Sequence, residues 1–289
     1  MNAPIPDQNS AVTGKAAVRA ELTFIVPQDE KPYFESSALS GGEPKVFFET
    51  EDLAVTINDM RPMMGDLSVD KQGFELHTIP TAVGDLYDDG AISDFYEAEL
   101  IALLKSRLGA DHAAVFDYTR RSDSEAGAAN PDGPRGPASR VHVDYTPKSG
   151  PQRAKDCLGA DEVDRILAGG GRISQINIWR PINGPVRRSP LAVADASSVA
   201  VAELVATDQR FADRTGEIFQ LAHGECQRWF WAPDMTDDEV LLIKGWDSMD
   251  DGRARFTPHG AFKLPGQERI SVPRESIEAR CYLVYEAKA

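Results

Sequence analysis

From Arg172 to Tyr285 the chain is a succession of short apolar or alternating runs cut by turn residues. They span Arg172 to Pro181, Leu191 to Ala196, Gly216 to Leu221, Gln227 to Trp231, Val240 to Trp246 and Ser276 to Tyr285. Runs of this length, rich in β-branched and aromatic residues and bounded by Gly, Pro, Asn and Asp, read as strands. Thr236 and Glu239 have the spacing of a helix-capping pair, so residues 236–246 read either as a strand or as a helix start. Many short strands after one long helix point to a mainly β fold with flanking helices, two sheets closed as a jelly-roll barrel.

The upstream half supplies support. Val18 to Val26, Val46 to Ile57 and Gly73 to Ile79 read as strands. Ile92, Phe95, Leu100, Leu103, Leu104 and Leu108 recur at helical spacing, with Gly109 as a C-cap. His112 to Thr119 is strand-like, and the Gly/Pro/Asp/Ser-rich stretch 120–139 reads as a loop able to act as a lid. Gln152 to Leu167 reads as a second helix, stopped by Gly169-Gly-Gly171. Residues 1–16 are poor in apolar side chains and are expected to be a disordered lead, with residues 17–289 forming one domain.

Composition narrows the partners. A formal net charge of -15, from 46 acidic and 31 basic residues, argues against nucleic acid or an anionic membrane surface. Cys157, Cys226 and Cys281 are too few and too scattered for a disulfide framework or a zinc cluster, which points to a reducing cytoplasm. No run approaches the roughly 18 apolar residues of a membrane span. The expected partners are a small-molecule substrate and, at most, a second copy of the chain in a homodimer.

Chemistry concentrates in Arg140-Val-His-Val-Asp-Tyr-Thr146. One intervening valine puts His142 and Asp144 on the same face of an extended strand. An imidazole and a carboxylate from one strand, joined by a distant histidine, make the facial triad that holds non-haem iron(II) and leaves coordination positions open. A His-x-Asp triplet alone is common as an ordinary strand pair, so the third ligand decides. Of five histidines, His259 is the best candidate: Pro258 and Gly260 bracket it, and it lies far enough along the chain for its strand to return beside the first. Beyond it, Arg274, Ser276, Glu278 and Arg280 share one face at period two, and an arginine with a nearby hydroxyl can hold a carboxylate. Arg269 and Ser271 repeat that pattern closer to His259, so two anchors stand open.

The blocks around these residues form an ordered series: Arg140 to Asp144, Asn177-Ile-Trp-Arg-Pro-Ile182, Pro190-Leu-Ala-Val193 with Asp195, Asp238 to Lys244 with Asp247-Ser248, Ala254 to His259, and Arg274 to Glu278 with Arg280. From about residue 112 to the end, the chain resembles the iron(II)/2-oxoglutarate-dependent oxygenases that include the fungal gibberellin desaturase and the cephamycin hydroxylase component. The resemblance implies a double-stranded β-helix, iron held by His142, Asp144 and His259, and 2-oxoglutarate anchored from the last strand by Arg274 with Ser276 rather than Arg269 with Ser271. It implies an enzyme that uses dioxygen and 2-oxoglutarate to hydroxylate, desaturate or cyclise a small secondary metabolite, releasing succinate. The alternative is an accessory jelly-roll protein that binds a small molecule or a partner enzyme without turnover.

Smaller expectations attach to neighbours. Asn177 shares a strand face with Gln175 and Trp179 and can reach the cosubstrate, as can Arg280. Tyr145 departs from the smaller or amide residue expected after the aspartate and is a candidate substrate contact. Tyr118, Arg120 and Arg121 at the mouth of the long loop, Arg180, and Trp231 in Arg228-Trp-Phe-Trp231 complete the candidate substrate set. Arg180 also has a structural alternative, pairing with Asp195.

Overall fold

The computed structural model describes residues 17–40, 44–131 and 133–287, so the lead expected at 1–16 lies outside the described residues. The first strands are β1 (Ala17–Ile25), β2 (Tyr33–Glu35), β3 (Lys45–Val46), β4 (Thr50–Asp59) and β5 (Phe74–Thr78). They are followed by β6 (His112–Ser122), β7 (His142–Val143), β8 (Arg172–Pro181), β9 (Leu191–Ala194) and β10 (Leu204–Arg210). The last are β11 (Thr215–Leu221), β12 (Trp229–Trp231), β13 (Glu239–Asp247), β14 (His259–Ala261) and β15 (Glu275–Tyr285). One sheet runs β5-β13-β8-β15-β6, and the other runs β1-β4-β12-β9-β14-β7-β11-β10-β2-β3.

Side-chain alternation decides what each face buries. Ile277, Ala279, Cys281 and Leu283 of β15, with Ile176 and Ile178 of β8, face away from the other sheet and pack on Tyr96, Leu100, Leu103 and Leu104. Burying each of those leucines contributes roughly 1.5–3 kcal/mol, which is what docks their helix. The opposite face presents Phe74, Trp179, Leu241 and Ile243 to Leu191, Val193 and Phe230 of the larger sheet. Two sheets packed face to face in this way are the jelly-roll, or double-stranded β-helix, architecture that the strand spacing points to.

The helices differ from expectation in two places. The α-helix covers Glu97–Leu108, ending at Gly109 with φ 68°, and is preceded by a π-helical turn over Ile92–Tyr96. The wider turn puts Ile92 and Tyr96 inward and leaves Phe95, expected on the apolar stripe, 63% exposed. The expected second helix is two, Ser149–Leu158 and Ala160–Ala168, broken at Gly159, whose φ of 90° suits only glycine.

The ambiguous 236–246 segment is strand β13; the Thr236 amide donates to Glu239 Oε2 at 2.9 Å and closes a turn rather than starting a helix. Strand β10, paired with β11, escaped the sequence reading. The loop after β6 is pinned rather than free: the amides of Ser122 and Ala128 donate to Arg135 O, and Asn130 bonds the Arg120 backbone. Among the described residues no helix is long and apolar enough to cross a membrane.

Candidate active site

Strand pairing brings the two distant histidines together. In the larger sheet β14 lies between β9 and β7, with His259 directly opposite His142. Their rings sit 4.6 Å apart. His142 Nδ1 lies 2.8 Å from Arg140 O, and His259 Nδ1 lies 3.0 Å from Thr257 O. A carbonyl oxygen can only accept, so both Nδ1 atoms carry the proton and both Nε2 lone pairs are free for a cation. Asp144 completes the group: Oδ1 is 3.4 Å from His142 Nε2, and ligand atoms of His142, Asp144 and His259 all lie within 4.8 Å of one another.

The far oxygen of the carboxylate is fixed from the other sheet. Asp144 Oδ2 accepts from Asn177 Nδ2 at 2.8 Å and from Arg280 Nε at 2.9 Å. Asn177 is itself held by Gln175 Nε2, which donates to Asn177 Oδ1 at 2.6 Å. Burial opposes ionisation of Asp144, but the Arg280 guanidinium outweighs it and holds the carboxyl well below the usual carboxylate range. Burial pushes His259 down, which favours its neutral form. Two imidazoles that present Nε2 and an ionised carboxylate are the donor set that suits iron(II).

Behind His259 stands a buried charge cluster. Lys244 and Asp247 are fully buried, and their ion pair at 2.8 Å is joined by Arg172 at 2.6 Å and by Asp70. The Lys244 carbonyl accepts from the Thr257 amide at 3.1 Å, and Thr257 O in turn orients His259. The Lys244–Asp247 block therefore acts through Thr257, a residue the sequence reading passed over because its contribution is a backbone carbonyl.

The two histidines open into a cavity lined also by Arg121, Trp179, Arg274 and Glu278. Arg274 donates through Nη1 to Ser276 Oγ at 3.1 Å, while its Nε and Nη2 are buried without a partner. A buried guanidinium with an open two-pronged edge fits a carboxylate. Arg269, the competing anchor, lies on an exposed turn, its side chain 87% exposed and 3.8 Å from Glu268, away from the cavity.

Several other candidates are corrected by what they touch. Arg280 faces the site but is spent on carboxylates, donating to Asp144, to Asp117 and Glu278 at 2.7 and 2.6 Å, and to Thr119 Oγ1 at 3.0 Å. With four of its donors engaged, it bonds Asp144 together with Asn177. Arg120 points to the opposite face, donating to Leu86 O and Asp89, and Tyr118 packs with the helix-side core. Arg180 is buried there too, held by Tyr96 Oη, Asp237 O and Ile79 O; Asp195 pairs with Arg228 instead. Trp231 lies with Trp229 in a core on the far side of β12, edge-on to Phe262, and only Phe230 faces the inter-sheet space. Tyr145 packs with Trp246, Tyr282 and Phe256 and does not line the cavity. Arg121, adjacent to Arg120 but on the inner face, does line it.

Known proteins are similar in sequence and in fold. The protein family described as an oxidoreductase/YMDC permease-like domain matches residues 22–284. The chain is 34% identical to the hydroxylase/desaturase efuI of Hormonema carpetanum over 274 residues, covering 85% of this chain and 87% of that protein. It is 31% identical to the Fe(II)/2-oxoglutarate-dependent dioxygenase nvfI of Aspergillus novofumigatus, over 91% of this chain and 95% of that protein. A solved structure of the iron and alpha-ketoglutarate-dependent endoperoxidase NvfI superposes with a TM-score of 0.82 at 28% identity, covering 95% of this chain and 100% of that one.

Proposed function

This chain belongs to the family of fungal iron(II)/2-oxoglutarate-dependent dioxygenases and hydroxylase/desaturases, and on that premise we propose that His142, Asp144 and His259 hold its iron while Arg274 and Ser276 hold the distal carboxylate of 2-oxoglutarate. It is an oxidoreductase of the secondary-metabolite type, dependent on iron and 2-oxoglutarate. The observation that carries the residue assignment is the meeting of three ligand atoms within 4.8 Å, two of them from histidines lining the cavity that Arg274 also lines with an unpartnered edge.

Each side chain has a definite task. His142 and His259 offer Nε2 because their Nδ1 protons are engaged by Arg140 O and Thr257 O. Asp144 offers Oδ1 because Asn177 and Arg280 occupy Oδ2, which fixes the carboxylate plane. Arg274 and Ser276 grip the far end of the cosubstrate and so turn its keto-acid end towards the three ligands. When bound, iron(II) supplies dioxygen activation coupled to decarboxylation of 2-oxoglutarate to succinate.

Residues 17–289 act as one oxygenase domain, a reading supported by the cavity formed from both sheets and by the family match over 22–284. Free Cys157, Cys226 and Cys281 support a reducing, cytoplasmic setting. The test is oxygen-dependent succinate formation by anaerobically iron-loaded protein given 2-oxoglutarate. A protein that binds neither iron nor 2-oxoglutarate would remove the assignment.

A further inference from the structure

Two guanidiniums share the cavity, and the cosubstrate reading gives work to only one. Ser276 of β15 pairs directly with Arg121 of β6, and Arg274 lies two residues before Ser276 along the chain. Arg121 and Arg274 therefore line the same cavity as His142 and His259. Among the described residues neither has a carboxylate within ion-pair distance. Arg121 donates through Nη1 to Gly136 O at 2.9 Å, a neutral partner. Glu278, the one carboxylate lining the cavity, already accepts from Arg280 at 2.6 Å.

Holding a partly buried guanidinium beside the buried Arg274 is costly unless an anion joins the two like charges. The cost registers in both groups: burial and the neighbouring Arg121 push Arg274 down to about 10, and burial pushes Arg121 down as well. A carboxylate has about four lone-pair sites, enough for the open Nε–Nη2 edge of Arg274, the Ser276 hydroxyl and one further cationic donor.

We propose that Arg121 is a second binding residue for the distal carboxylate of the cosubstrate, acting with Arg274 and Ser276 to select a 2-oxo dicarboxylic acid over a 2-oxo monocarboxylic acid. This rests on the proposed cosubstrate site and adds to it a residue from a different strand. It also reassigns Arg121 from a candidate substrate contact to a cosubstrate contact.

The test titrates anaerobic, iron(II)-loaded full-length protein by calorimetry with 2-oxoglutarate and with 2-oxopentanoate, which has a methyl group where the distal carboxylate stands. In Arg121→Gln, the Kd for 2-oxoglutarate is expected to rise about tenfold, as loss of one charge-assisted bond implies, with 2-oxopentanoate changing less than about twofold. Arg121→Lys, which keeps the charge but not the fork, is expected to recover part of the selectivity and serves if the glutamine variant does not fold. Equal weakening of both ligands would make Arg121 merely structural and overturn the proposal. Unchanged affinity for 2-oxoglutarate would overturn it equally. Wild-type protein that binds neither ligand would instead overturn the cosubstrate reading on which it rests.

Discussion

Replacing Asn177 with leucine tests how far the metal ligands depend on what holds them. Asn177 is fully buried and makes two bonds: it donates to Asp144 Oδ2 at 2.8 Å and accepts from Gln175 at 2.6 Å. Leucine fills similar space and makes neither. The lost bond to an ionised carboxylate is worth about 1.5–3 kcal/mol, and the stranded Gln175 amide costs about 1–3 kcal/mol more.

Only the first loss acts on the metal, since it frees Asp144 to rotate. Removing a partner of a ligand typically weakens metal binding by roughly 10–100-fold, or about 1.4–2.8 kcal/mol, in line with the bond energy. Arg280 still holds Oδ2 from the other side, so the lower end, about tenfold, is expected. Anaerobic competition titration of iron(II) against a fluorescent chelator reads this directly, and urea unfolding of metal-free protein reads the stability cost. Gln175→Leu should destabilise the fold while leaving metal affinity within about threefold, because the Asn177–Asp144 bond survives. Asn177→Leu protein that binds iron within about twofold of wild type would refute the reasoning, as would equal weakening in both variants.

Arg274→Gln should raise the 2-oxoglutarate concentration needed for half-maximal succinate formation by about tenfold or more, whereas Arg269→Gln, on an exposed turn, should change it less than about twofold; equal effects would contradict the anchor assignment. Glu239 gives a pH prediction: burial opposes its ionisation, but Arg61, bonded at 2.5 and 2.9 Å, and the Thr236 amide hold its carboxyl below the usual range. A depressed folded pKa means the stabilisation is complete above the unfolded value of about 4.3 and is lost as pH falls through the folded value. The urea-midpoint advantage of wild type over Glu239→Gln should therefore be constant from about pH 8 to 6 and shrink below about pH 4, and growth on acidification would contradict it.

The proposed ligands are legible because they sit in distinctive local sequence: a His-x-Asp pair and a histidine framed by Pro258 and Gly260. Cross-strand partners are not. Arg274 and Arg280 look alike on one face at period two, and only β6, which brings Asp117 and Thr119 opposite, shows that Arg280 is spent and Arg274 free. Arg120 and Arg121 illustrate the same limit. The β15–β6 register skips Phe116, a bulge that shifts the phase of β6, so alternation counted from the strand start assigns the wrong face. Trp229 and Trp231 point the same way, as their spacing requires, but which way was decided only when β12 inserted between β4 and β9.

If His142, Asp144 and His259 form the iron site, as proposed, single-histidine variants should differ sharply in metal binding. Anaerobic iron(II) titration, followed by admission of oxygen with 2-oxoglutarate present, should give one bound equivalent and succinate for wild type and for His223→Ala, whose ring stacks edge-on to Phe24 away from the site. His259→Ala should bind no iron at the same concentrations and form no succinate. Retention of iron and turnover by His259→Ala, or their loss in His223→Ala, would contradict the account.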